Sequence, residues 1–242
     1  MAGVRRKSQD GTQTSTEAAG AGERHHEGAL VPVTARGEAT RRRILDAAEA
    51  VFGDRGYHEA SVTEITQRAQ VAQGTFYLYF HSKREIFLQL VEDLGTQLRA
   101  AMREASRGST SRMEMERKGF AGFFAFARAH RQLYRIVQEA DRVDLPTFQE
   151  YYSRLARGYA RGLGAAMEAG EIRQIDPEAL AYALIGIGHF LALRWLIWPQ
   201  EQSSQIGQPA EEIAGEAGGQ PPELPERVFS TLLEFLAHGL EP

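Results

Sequence analysis

The stretch that decides the fold is Ala69–Phe87, AQVAQGTFYLYFHSKREIF. It opens at the end of one helix, crosses a turn at Gln70, Val71 and Ala72, and continues as a short apolar and aromatic run, Gln73–Phe80. That run is too short to hold a helix alone, so its neighbours must hold it. Ser82 and Glu85 then form a capping box, in which the serine hydroxyl and the glutamate carboxylate satisfy free amides at a helix start. The helix they open is long, with an apolar stripe at Ile86, Phe87, Leu90, Val91, Leu94, Leu98 and Met102.

Upstream, Ser61 and Glu64 make a second capping box for a short helix that ends near Ala69. Before it, Ile44, Leu45, Ala48, Val51 and Phe52 recur at helical spacing from Thr40 onward, and Gly53 and Gly56 are expected to stop the run. Three helices, the last two joined by a tight turn, match a helix-turn-helix unit, a spacing that many small bundles share. Phe76 and Phe80 belong inside such a unit, because so small a core needs its aromatics.

The residue identities go further than the spacing. Val71, Gly74, Thr75, Tyr77, Tyr79, Phe80, Ser82, Lys83 and Phe87 stand at the offsets of the DNA-binding signature of the TetR family, which the segment from Ile44 to Phe87 resembles. The resemblance implies an all-α protein with an N-terminal three-helix helix-turn-helix DNA-binding domain and a C-terminal helical ligand-binding and dimerisation domain. It also implies that the short third helix lies in the major groove of double-stranded DNA. Two positions depart from the family pattern: Gln70 stands where the turn commonly has glycine, and Ala72 where the third helix commonly has a serine or threonine cap. A left-handed Gln70 costs on the order of 1 kcal/mol, and the missing cap about as much.

The chemistry of the expected DNA contacts follows. Gly74 lets the backbone come close to the duplex, while Gln73 and Thr75 offer hydrogen bonds to base edges or phosphates. Tyr77 and Tyr79 add rigid reach with a polar tip. Ser61 and Thr63, at a helix start where free amides attract anions, are placed to meet phosphates, as is Lys83 one helix later. Arg41, with Arg42, Arg43 and Arg36, supplies further positive charge, although arginines on a helix also serve as a solvated face.

Around this reader the chain is expected to divide into a disordered arm over residues 1–36, which lack apolar periodicity, the reader over 37–84, and a sensor over 85–242 with a flexible Gln-, Glu-, Gly- and Pro-rich loop at 199–222. The sensor is helical throughout. The helix from Pro177 to Trp198 is apolar on nearly every side. Its length suits a bilayer, but His189 and Arg194 interrupt it and no positive cluster flanks it, so a membrane partner is not expected. Ala183, Gly186, Gly188 and Ala192 permit close helix approach, and with the amphipathic segment 224–240 this helix is expected to build a homodimer through a four-helix bundle. Such a dimer presents its recognition helices about 34 to 36 Å apart and reads a near-palindromic operator.

Aromatics crowd the middle helices and suit an apolar pocket for a small-molecule effector. Phe124, Tyr134, Tyr151 and Tyr159 are its expected walls, His189 and Arg194 its polar candidates, and Arg128, Arg131 and Arg135 further partners for an acidic head group. An apolar acid or an acyl thioester fits that mixture. In the family, such a ligand usually weakens DNA binding, which implies a repressor.

The remaining composition bounds the alternatives. Of 242 residues 43% are hydrophobic, enough for a sizeable core, and there is no cysteine, which removes disulfides and thiolate chemistry and fits the cytoplasm. A formal net charge of -4 argues against bulk coating of nucleic acid. No phosphate-binding glycine loop, nucleophile elbow or paired-histidine zinc motif is present, so neither an enzyme, a cofactor nor a metal is expected. The rival reading is a helical adaptor that dimerises and binds protein without reading DNA.

Overall fold

A computed structural model describes residues 34–198 and 223–240, and these residues form helices with no strand among them. Residues 1–33, which hold most of the expected arm, and the expected loop at 199–222 lie outside the described residues. The first helix, α1, spans Ala35–Arg55 and begins five residues before the Thr40 start expected from apolar periodicity. The reason is a cap: the Thr34 hydroxyl oxygen accepts from the Gly37 amide at 3.1 Å. The helix also runs through Gly53 instead of stopping there. A Cβ at Gly53 would lie 1.9 Å from Cγ of Gln132, so this glycine marks a close helix contact, while Gly56, at φ 80°, makes the turn.

Helix α2 spans Val62–Arg68 and carries the full Ser61–Glu64 capping box. The turn to α3, Gln73–Tyr79, places Gln70 at φ 54°, the strained left-handed conformation, and Ala72 provides α3 with no side-chain cap. Both losses are offset by burial. Ile44, Phe52, Ile65, Phe76, Phe80 and Phe87 are all 0–1% exposed, and they lock α1 and the two short helices onto the start of α4, Lys83–Ala105.

Behind the reader come α5 (Arg112–Ala129), α6 (Gln132–Val143), α7 (Leu145–Glu168) and α8 (Pro177–Ala192). Helix α8 ends in a π-helical turn, Leu193–Ile197, closed by the Trp198 amide donating to the Leu193 carbonyl at 2.8 Å. Trp198 itself is extended, the conformation favoured before a proline, and the helix ends there. Helix α9, Glu226–Leu240, packs on α5.

Two buried clusters result. One joins the reader to α4, α6 and parts of α5 and α7, with Ile136, Val137, Ala140 and Tyr151 in contact with the reader's core. The other joins α5, α7, α8 and α9 around Phe120, Phe124, Leu163, Leu184, Leu196 and Leu236. The stretch Pro177–Ile197 is long and apolar enough to cross a membrane by length and composition, and only 33% of its most apolar window is buried. Its uncovered side and that of α9 expose Tyr182, Phe190, Trp198 and Phe235.

Candidate DNA-reading surface and effector cavity

On the reader, Thr63, Gln73, Gly74 and Tyr77 are exposed together with Leu78, while Thr75 and Tyr79 are half-buried, Tyr79 packing against the reader's core. A Cβ at Gly74 would meet nothing within 4 Å, so this glycine fills no packing need inside the chain. Its bare backbone is open to a large partner. Tyr77 stands 47% exposed on the same helix, with its ring edge against Phe76.

The expected phosphate contacts divide. Lys83 spends its ammonium internally: Nζ donates to the carbonyls of Tyr57, His58 and Ala60 at 2.7, 3.1 and 2.9 Å, and it sits over the Tyr57 ring. All three ammonium donors are thereby used in tying the α1–α2 turn to α4. The Ser61 hydroxyl is likewise committed, accepting from the Glu64 amide and donating to the Glu64 carboxylate. Arg41 donates to Gln89 at 2.8 Å and lies over Phe80. Arg42 pairs with Asp46 and Asp93, whereas Arg36 and Arg43 are exposed and make no ion pair among the described residues.

The sensor holds a half-open cavity of about 760 Å³ between α4, α5, α6, α7 and α8. Tyr134, Tyr151, Tyr159 and His189 line it, together with Leu98, Phe120, Phe123, Val137 and Leu184. Phe124 and Arg194 do not. Phe124 lies one turn further along α5, stacked on Phe120 and edge-on to Phe229 of α9, and Arg194 is exposed beside Trp195 beyond the end of α8. Nor do Arg128, Arg131 and Arg135 line it: Arg128 pairs with Glu223, Arg131 donates to the Ile197 carbonyl, and Arg135 reaches the reader.

The arginines that do line the cavity were not singled out from the sequence. Arg99, Arg103 and Arg107 come from the C-terminal half of α4 and the turn after it, and Arg154 and Arg161 from α7. Their spacings of four and seven residues are a helix-face signal. Arg103 and Arg161 make no ion pair among the described residues, and the Arg99 guanidinium is held below its ordinary range by burial and by Arg154. The cavity therefore has apolar walls and a cationic rim.

A buried ion pair also lines it. The side chains of Arg112 and Glu116 are 5% and 3% exposed, and Arg112 Nε and Nη2 both donate to one Glu116 oxygen, the first at 2.7 Å. The other Glu116 oxygen accepts from the Tyr159 hydroxyl. Burial, then the neighbouring carboxylate, pushes the Tyr159 phenol well above its usual range, so it stays a donor. Glu116 is thus satisfied on both oxygens, which a buried charge requires. By spacing alone the pair reads as an ordinary exposed i,i+4 contact.

Helix α6 links the cavity to the reader. Tyr134 and Val137 line the cavity, while Gln132 fills the space beside Gly53 and Arg135 Nη1 donates to the carbonyls of Gly53 and Asp54 at 3.1 and 2.9 Å. Glu139 accepts from the Tyr57 amide, and Arg84 of α4 pairs with Asp144 at the α6–α7 junction at 2.6 Å. Just before α6, His130 Nδ1 lies 2.8 Å from Glu49 of α1.

An exposed short helix presented by a tight turn, backed by a helical sensor with a ligand-sized cavity, defines the class of helix-turn-helix transcriptional regulators. The family described as bacterial regulatory proteins, tetR family, matches residues 44–90. A TetR-like transcriptional regulator from Rhodococcus sp. RHA1 is similar in structure, with a TM-score of 0.53 and 30% identity over 64% of this chain and 82% of that one. The chain belongs to the TetR family, and it is a transcriptional regulator. The fatty acid degradation regulator FadR from Bacillus halodurans superposes with a TM-score of 0.59 at 25% identity, covering 64% of this chain and 83% of its own. The HTH-type transcriptional activator FasR of Mycolicibacterium smegmatis is 37% identical over 106 residues, 44% of this chain and 48% of its own length. The relatives are regulators, not enzymes.

Proposed function

We propose that this chain is a cytoplasmic, ligand-responsive repressor that binds a near-palindromic operator as a homodimer and is released by an effector with an apolar body and an anionic head, an acyl thioester or an apolar or aromatic acid. The observation that carries the reading is α6, which lines the cavity on one side and grips the reader on the other. An effector that fills the cavity must move Tyr134 and Val137 or be shaped by them. Either way, the energy reaches Gly53, Asp54 and Tyr57 through one rigid element.

The rest of the site fits. Gln73, Gly74, Thr75 and Tyr77 present the reading surface, with Thr63, Tyr79, Arg36 and Arg43 at its margins. Exposed Phe190, Trp198, Tyr182 and Phe235 supply the dimer face through α8 and α9. The rim arginines suit a phosphate-bearing head group, and regulators of fatty-acid metabolism are among the similar proteins. A hundredfold preference of effector for the DNA-incompetent state amounts to about 2.7 kcal/mol per site, enough to empty an operator when both sites of a dimer fill.

The test is selection of bound duplexes from a random pool by the native chain and by Tyr77→Ala. Enrichment of a palindrome by the native chain alone supports the reading, and the folded native chain enriching nothing refutes it in favour of a protein-binding adaptor. Because one relative is named as an activator, transcription from the selected operator is the second measurement. A rise in transcript on adding the protein overturns repression.

A further inference from the structure

The Tyr134 hydroxyl on α6 is buried and makes no hydrogen bond, the one buried side-chain nitrogen or oxygen among the described residues without a partner. The His189 ring on α8 lies 5.0 Å from the Tyr134 ring, centroid to centroid, and the two do not bond to each other. Neither ring nitrogen of His189 has a hydrogen-bond partner among the described residues. Both side chains line the cavity, as do Val137, Phe120, Leu184, Tyr151 and Tyr152.

The contrast with the Arg112–Glu116–Tyr159 group is physical. There every strong acceptor is met inside the protein; here the phenol, with Tyr151 and Tyr152 nearby, has no partner, and the half-buried imidazole has none among the described residues. Burial lowers the His189 imidazole below its ordinary range, so near neutral pH it offers one N–H and one lone pair, and the phenol offers a donor and an acceptor. An unsubstituted hydrocarbon pressed into the cavity would exclude water and leave these groups unmet, at the cost of desolvated polar atoms. A ligand oxygen between them would meet both, with adjustment of the two rings.

Resting on the assignment of this cavity to the effector, we propose that Tyr134 and His189 form an oxygen-reading station, and that the effector carries a hydroxyl or carbonyl oxygen on the portion buried in the cavity. The ligand class is then an oxygenated acyl or aryl-acyl compound, its anionic head at the arginine rim and its functionalised chain against α6 and α8.

The experiment is calorimetric titration of the full chain with acyl-coenzyme A thioesters of one chain length, unsubstituted or with a hydroxyl or keto group moved carbon by carbon. Tyr134→Phe, which removes only the unpaired oxygen, and His189→Phe are titrated in parallel. The expected result is one oxygen position that binds the native chain about tenfold tighter than the unsubstituted chain. That gain should vanish in Tyr134→Phe, whose affinity for the unsubstituted chain is unchanged or higher, and shrink in His189→Phe. Binding of the series without oxygen preference, or the same preference in Tyr134→Phe, overturns the station and leaves the acyl-thioester reading standing. No binding by any member to the native chain overturns both.

Discussion

Gly53→Ala is expected to destabilise this protein although it lies inside a helix, where the same exchange ordinarily helps by about 1 kcal/mol. The structure reverses the sign. A Cβ at Gly53 would sit 1.9 Å from Cγ and 2.3 Å from Cβ of Gln132, so rotation of the glutamine removes only part of the overlap and α6 must shift away from α1. Overpacking of this kind costs about 1–3 kcal/mol, and with the clash reaching a Cβ the upper end applies. Subtracting the helix-propensity gain leaves a net loss of about 2 kcal/mol, or roughly 4–8 °C in melting temperature for a chain of this size. The assay is denaturant unfolding at fixed protein concentration, with Gly164→Ala as the control, because a Cβ there meets nothing within 4 Å. Gly164→Ala should be neutral to stabilising. If Gly53→Ala matches it, the α1–α6 contact is not close-packed and the coupling assigned to α6 loses its basis.

Lys83→Met should lower stability by about 2 kcal/mol by orphaning three carbonyls, yet leave the salt dependence of operator binding unchanged; a slope reduced by about 0.9 in log–log form would instead make Lys83 a phosphate contact. Gln70→Gly should stabilise the folded chain by up to about 1 kcal/mol by relieving a left-handed backbone, as read from denaturant midpoints, and a loss would show that the turn is not strained. Burial of His189 lowers its folded-state pKa, so the unfolded chain takes up a proton that the folded chain resists: the stability is present above about pH 6.5 and lost as pH falls toward the folded value. His189→Gln should flatten the acid limb of the stability profile below about pH 6.5, and an unchanged limb would contradict the desolvation described for the imidazole.

What was legible from the sequence is what depends on near neighbours in the chain. The caps at Ser61 and Ser82, the apolar stripe of α4 and the inward-facing Phe76 and Phe80 follow from spacing and size. What was not legible depends on partners far away. Lys83 reads as a cation beside a helix start until carbonyls more than twenty residues upstream are seen to occupy it. Phe124 and Phe120 are equally aromatic, and only the placement of α9 decides which one faces a cavity. The start of α1 lay in a stretch too polar to show periodicity, where one threonine cap settled the boundary. Arg112 and Glu116 were overlooked for the opposite reason: charged residues four apart usually mean surface, and their burial depends on Tyr159, contributed by another helix.

The continuity of the buried cluster from Ile44 to Tyr151 sets the rule for any exchange of parts between this regulator and its relatives. A graft cut at residue 84 would separate Ile44 and Phe52 from Phe87, Ile136 and Ala140, and would strand Gln132, Arg135 and Glu139 opposite a foreign α1. A transplantable unit is therefore a discontinuous one: the N-terminal helices together with the outer face of α6. Under the proposed function, operator preference can drift at Gln73 and Tyr77 without disturbing that seam, and ligand preference can drift at the far end of the cavity. Change at the seam itself requires matched substitutions on both sides, so hybrids should fail there first.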